Sequence, residues 1–230
     1  MRTLENSDQT PLSADLPVKF QIQERILSYN RSLRVAWCKG DKSLVPPGSR
    51  IPNDVFSQPN YHFGEYYTLR HFMNEGWVGH IWYTLGEWGT DSPKVAKGKA
   101  KIEELFSVSE LARFRTLRPL NGKGEPDLFL YKPGGQRLFL EVKMGSDSVS
   151  ESQLQCLAQI KAALTADVGI VYLKEAGKRH TPKRYELDLQ AHTGYQLRNP
   201  KHDSESAPSA TPRPILTDGG GAIESEIRAT

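Results

Sequence analysis

The sequence predicts an α/β protein with a central mixed sheet flanked by helices. Residues 125–144 read as two strands around a tight loop, and residues 150–164 as a capped amphipathic helix. Val168–Leu173 is a continuous apolar run, as expected of a strand covered on both faces. Strands and helices interleaved in this way pack as layers of helix on sheet.

The elements follow in chain order. Residues 1–16 are polar and without periodicity, and are expected to be a disordered tail. Residues 17–60 are read as an N-terminal helix and a Pro-rich loop. Phe20, Ile22, Ile26 and Leu27 fall near helical spacing, and Pro46, Pro47, Gly48, Pro52 and Pro59 then break the chain. Gly64–Asn74 is expected to be helical, with Tyr66, Leu69, Phe72 and Met73 as its apolar stripe and Gly76 closing it. Trp77–Leu85 follows as a strand. Residues 86–120 read as an insertion of one or two short helices, with Leu111, Phe114 and Leu117 recurring every three residues.

The domain is expected to span residues 61–190. In its second half EPDLFLY and RLFLEVKM flank the five-residue loop KPGGQ. Ser150-Glu151-Ser152-Gln153 matches a capping box, and Leu154, Leu157, Ile160 and Leu164 form a stripe behind it. Residues 191–230 are expected to be a second disordered tail. They include ESAPSATPRP and the triplet Gly219-Gly220-Gly221, which no Gly-Lys-Ser/Thr follows, so it is not a phosphate loop.

Composition narrows the function classes. A formal charge of +3 over 230 residues does not by itself indicate a nucleic-acid binder, so any basic surface must be local. No run of ~20 apolar residues exists to span a membrane. The opening MRTLENSDQT lacks the apolar segment of a secretory signal. Cys38 and Cys156 are too few for a disulfide framework or a Cys-rich zinc module, and a reducing, cytoplasmic compartment is expected.

The hairpin carries the chemistry. Symmetric pairing about Gly134 opposes Leu128 to Leu140, Leu130 to Leu138 and Asp127 to Glu141. The leucines and Val142 then make one apolar face, and Asp127, Glu141 and Lys143 share the other with Phe129 and Phe139. Two carboxylates so close repel unless a counter-charge or a proton intervenes. Two explanations stay open on spacing alone. Lys143 and a nearby arginine neutralise a surface cluster, or the carboxylates share a divalent cation while Lys143 orients an attacking water.

Pro126-Asp127, then Glu141 fourteen positions on, then Val142-Lys143, resembles the signature of the PD-(D/E)xK nuclease superfamily. Gly124-Glu125-Pro126-Asp127-Leu128, the run Leu138–Lys143 and the Ser-x-x-Gln of Ser150–Gln153 look like its VRR-NUC (virus-type replication-repair nuclease) branch, over about residues 60–175. The resemblance implies a restriction-endonuclease-like αβββαβ core and a Mg²⁺- or Mn²⁺-dependent deoxyribonuclease of DNA repair, recombination or phage replication. It implies Asp127, Glu141 and the Val142 carbonyl as metal ligands, Lys143 as the catalytic lysine and Gln153 as the motif glutamine. Glu65 best fits the family's helical glutamate, ahead of Glu75. DNA is the implied partner, branched or flapped forms included, and a homodimer is compatible. The alternative is a catalytically silent DNA- or protein-binding module of the same fold.

Gln153 could instead serve only its capping box, and an acid such as Glu65 is favoured in a first helical turn by the helix dipole alone. Residues 94–190 hold 17 Lys and Arg against 12 Asp and Glu. Arg113, Arg115, Arg118 and Lys123 precede the first motif residue closely and are the candidate phosphate contacts. A second cluster, Lys174, Lys178, Arg179, Lys183 and Arg184, reads equally well as a solvated face. The tryptophans and tyrosines of residues 66–88 are expected to be core. His62, His71 and His80, nine residues apart, share no metal-binding face.

Overall fold

The segment read as an N-terminal helix is a strand. In the computed structural model, which describes residues 18–47, 49, 55, 58, 60–86, 92–117, 124–189 and 196–198, β1 spans Val18–Tyr29. Phe20 and Ile22 alternate with exposed Gln21 and Gln23, a period of two. Glu24 takes the next inward position, and the apolar residues then change face to Leu27 and Tyr29. That change of face brings Ile22, Ile26 and Leu27 to helical spacing in a strand buried from both sides. Helix α1 (Arg31–Cys38) follows it, its first turn capped by Asn30 accepting from the Ser32 amide.

β1 is also central rather than peripheral. It pairs antiparallel with β6 (Arg184–Leu189) along its first half and parallel with β5 (Asp167–Glu175) along its second. The sheet order is β2-β3-β4-β5-β1-β6-β7, with β2 at Val78–His80, β3 at Leu128–Tyr131, β4 at Arg137–Met144 and β7 at Gln196–Arg198. The 61–190 boundary therefore cuts through one sheet at both ends, since β1 precedes it and β7 lies in the stretch read as a tail. Residues 1–17 and 199–230 fall outside the described residues.

The remaining elements follow the expected order: α2 (Phe63–Asn74), β2, α3 (Ala96–Leu105), α4 (Val108–Leu117), β3, β4, α5 (Glu151–Ala163), β5. Gly76, at φ +83°, closes α2 as expected. The strand expected over Trp77–Leu85 shortens to Val78–His80, because β3 offers it only Phe129, Leu130 and Tyr131 as partners. β3 and β4 pair in the symmetric register, Leu128 to Leu140 and Leu130 to Leu138.

The hairpin's two faces build two cores. Leu128, Leu130 and Leu140 pack with Leu69 and Phe72 of α2, Trp37 of α1 and Leu173. Phe129 and Phe139 pack with Cys156 and Ile160 of α5, and with Ile102 and Phe114 of the two inserted helices. The 86–120 insertion is thus a cover for the phenylalanine face. A third cluster joins Leu154 and Leu157 of α5 to Ile22, Ile170 and Leu187 across the sheet. Among the described residues no helix is long and apolar enough to cross a membrane.

Candidate active site

Asp127 sits one residue ahead of β3, and β4 runs on past the end of their shared ladder. The Val142 amide of β4 would otherwise lack a partner on that side. The Asp127 carboxylate supplies it, Oδ2 accepting from Val142 N–H at 2.8 Å. The turn that delivers Asp127 is held from two directions. The buried Tyr83 hydroxyl donates to the Pro126 carbonyl at 2.5 Å, and Glu125 accepts from the amides of Leu85 and Gly86. Gly124 adopts φ +88°, and a Cβ there would lie 2.4 Å from the Ser152 carbonyl at the start of α5. Gly124→Ala should therefore destabilise the protein by about 1–3 kcal/mol and push Asp127 away from α5. Thermal melting, with metal titration of the folded variant, checks both effects.

Glu141 is 1% exposed, on the α5 side of β4. Its Oε1 accepts from Gln153 Nε2 at 2.5 Å and lies 2.8 Å from Lys143 Nζ. Gln153 bonds in two directions at once. Its Oε1 accepts from the Ser150 amide at 2.9 Å in a complete capping box, while its Nε2 reaches Glu141. The N-terminus of α5 is thereby fastened to the carboxylate.

Glu65 reaches the same region from above. Gly64 lets the first turn of α2 approach β4, where a Cβ would stand 3.3 Å from Val142 Cγ1. Glu65 Oε1 lies 2.9 Å from His62 Nδ1, and its negative charge is felt at Asp127. Glu75, at the far end of α2, is engaged by Arg25 at 2.6 Å and by His71. Glu65, not Glu75, is therefore the α2 acid whose charge reaches Asp127.

Burial raises the Asp127 carboxyl, and the Glu65 charge raises it further. Burial raises Glu141 more strongly, with the Asp127 charge adding to it and Lys143 opposing. Two carboxylates with one lysine leave an excess negative charge in a nearly dry place. Glu141 Oε2 shows the consequence, being buried without any hydrogen-bond partner. A proton shared with Asp127, or a cation, would satisfy it. All-oxygen donors of this kind suit a hard divalent cation, which takes one or two carboxylates and completes its shell with water. Among the described residues, no three His, Cys, Asp or Glu side chains form a ready-made metal cage.

Of the first basic cluster, Arg113 is engaged away from these carboxylates. Arg113 Nη2 donates to the Ala163 carbonyl, at the last residue of α5. That end lies roughly 15 Å along the helix from Gln153. Arg115 is exposed on α4, and Arg118 and Lys123 lie outside the described residues.

Three contributors escaped the sequence reading. Tyr83 and Glu125 brace the Asp127 turn, and His62 orients Glu65. His62 is the one non-glycine residue with positive φ (61°) among the described residues, and its ring lies edge-on to Trp82 at 4.8 Å. Only the place of His62 three residues before Glu65 could have signalled its role.

No protein-family model matches the chain, and no curated protein matches it.

Proposed function

We propose that this chain is a divalent-metal-dependent DNA nuclease of the PD-(D/E)xK type, with a restriction-endonuclease-like αβββαβ core of VRR-NUC character. The observation that carries this reading is the buried Glu141 carboxylate, held at Oε1 by Lys143 and Gln153 next to the Asp127 charge, while its Oε2 has no partner. The order α2-β2-β3-β4-α5-β5, with β4 and β5 parallel, supports the core assignment.

Asp127, Glu141, the Val142 carbonyl and Glu65 would hold Mg²⁺ or Mn²⁺. The bound ion would supply positive charge at the scissile phosphate and lower the pKa of a water. The protein's own groups do the rest. Gln153 and Lys143 fix the Glu141 carboxylate, and the Val142 amide fixes that of Asp127. The Lys143 ammonium, 13% exposed, holds a water oxygen in line with the phosphorus and faces the charge that develops on the phosphate. His62 holds Glu65 toward Asp127.

The test incubates plasmid and branched or flapped oligonucleotides with purified protein, in Mg²⁺, Mn²⁺ or EDTA. Cleavage in metal, absent in EDTA and absent from Asp127→Asn, is the expected result. The second reading is a catalytically silent DNA- or protein-binding module of the same fold. Binding that survives EDTA, with no cleavage in any metal, would favour it.

A further inference from the structure

The face that carries Lys143 continues across the sheet. In the parallel pairing Lys143 lies beside Tyr172, and Glu141 lies beside Ile170, which lies beside Glu24 of β1. Residues paired in this way project from the same face. Glu24 is 5% exposed and fully engaged. It accepts from the Lys183 amide at 2.9 Å and from the Tyr185 hydroxyl at 3.1 Å, and lies 2.8 Å from His180 Nε2. The His180 ring is stacked flat on Tyr172, centroids 3.5 Å apart and planes 7° from parallel. Tyr172 donates in turn to the Gly145 carbonyl, just past β4.

Further bonds fix the start of the loop between β5 and β6. The Ala176 amide donates to the Tyr29 carbonyl at 2.9 Å, and Lys174 Nζ to the Lys178 carbonyl at 3.0 Å. Burying a carboxylate is costly unless its hydrogen bonds are met, and here they are met by fastening a surface loop. What the loop presents is positive charge. Lys178, Arg179, Lys183 and Arg184 are exposed, and the last three have no ion-pair partner among the described residues. The loop exposes no large apolar side chain of the kind that anchors a membrane-surface segment.

We propose that this loop is a built contact surface for a nucleic-acid backbone. Arg179 and Lys183 hold phosphates of the strand as it leaves the Lys143 site, and the Tyr172–His180 stack floors the path between them; Arg184, paired with Gln23, projects from the opposite face. The inference rests on the nuclease reading for its direction, but its test does not require cleavage.

Binding of a labelled single-stranded oligonucleotide is followed by fluorescence anisotropy in EDTA across a salt series. The variant R179Q/K183Q changes only exposed side chains, and circular dichroism verifies its fold. It should bind at least about tenfold more weakly near 0.1 M salt and lower the slope of log K against log salt by roughly 1–2. A charge-matched control, K97Q/K99Q on α3, should move both quantities much less.

Wild-type affinity and slope in the loop variant would overturn the proposal. So would equal losses in the two variants, which would reduce the effect to net charge. Binding to phosphatidylserine vesicles with none to the oligonucleotide would overturn it as well. If wild type never cuts in Mg²⁺ or Mn²⁺ while the loop variant alone loses binding, the nuclease reading fails and the contact surface stands.

Discussion

Lys143→Ala should lower the single-turnover rate of metal-dependent cleavage by about 10²–10⁴-fold, while the protein still binds its cation. Among the described residues Lys143 is the one ammonium in contact with Glu141, at 2.8 Å, and it is nearly enclosed. In such surroundings a fixed positive charge acts far more strongly on a developing phosphate charge than it would in water. The same charge weakens cation binding, because it offsets part of the Asp127–Glu141 field. Removing it should leave Mn²⁺ affinity equal to wild type or tighter. Calorimetric Mn²⁺ titration beside rapid-quench cleavage separates these effects. A variant that loses cation and activity together would mean that Lys143 serves the fold of the site; undiminished cleavage would remove it from the chemistry.

Glu141→Gln should abolish cleavage and, without metal, stabilise the protein at alkaline pH. Burial, then the neighbouring Asp127 charge, raise the Glu141 carboxyl in the folded protein. A group raised on folding contributes stability below its unfolded pKa, and that stability is lost as pH climbs through the folded value. Metal-free wild type should therefore lose stability from about pH 4 upward. Glutamine keeps the shape and the acceptor for Gln153 Nε2. Its amide places a donor where Oε2 is stranded, aimed at the Asp127 carboxylate. The variant should gain on the order of 1–2 kcal/mol at pH 8 and lose the downward slope of its melting temperature with pH. Mg²⁺ should raise the wild-type melting temperature more at pH 8 than at pH 5 and leave that of the variant unchanged. Equal pH slopes for the two proteins would show that Glu141 carries no excess charge.

What could be read from the chain depended on whether a residue's partner was near in sequence. Leu128, Leu130, Leu138 and Leu140 declare their pairing because a five-residue loop joins them, and Ser150 declares Gln153 because a capping box is three residues long. The same proximity made the meeting of Asp127, Glu141 and Lys143 legible. β1 failed the test of locality. Buried Glu24 breaks its alternation, and the partners that explain that residue, His180 and Tyr185, lie at the other end of the domain. Tyr83 and Glu125 were unreadable for a related reason. Each makes its bond to backbone about 40 residues away, and backbone leaves no trace in residue identity. Arg113 shows the converse effect. Closeness in sequence to Asp127 placed Arg113 near the site, whereas α4 carries it to the far end of α5.

The hydrogen bonds of Glu24 close loops of 156 to 161 residues. β1 leaves the ribosome well before its partners and is thus among the last of the described strands to find its neighbours. Until β5 and β6 have been synthesised, β1 is an orphan ribbon, while the compact 124–164 unit can assemble from contacts close to home. Docking of that ribbon between its two late partners should set the pace of folding. A chain caught before that moment would carry a nearly finished Asp127–Glu141 corner beside an open seam, ready to pair with the wrong strand.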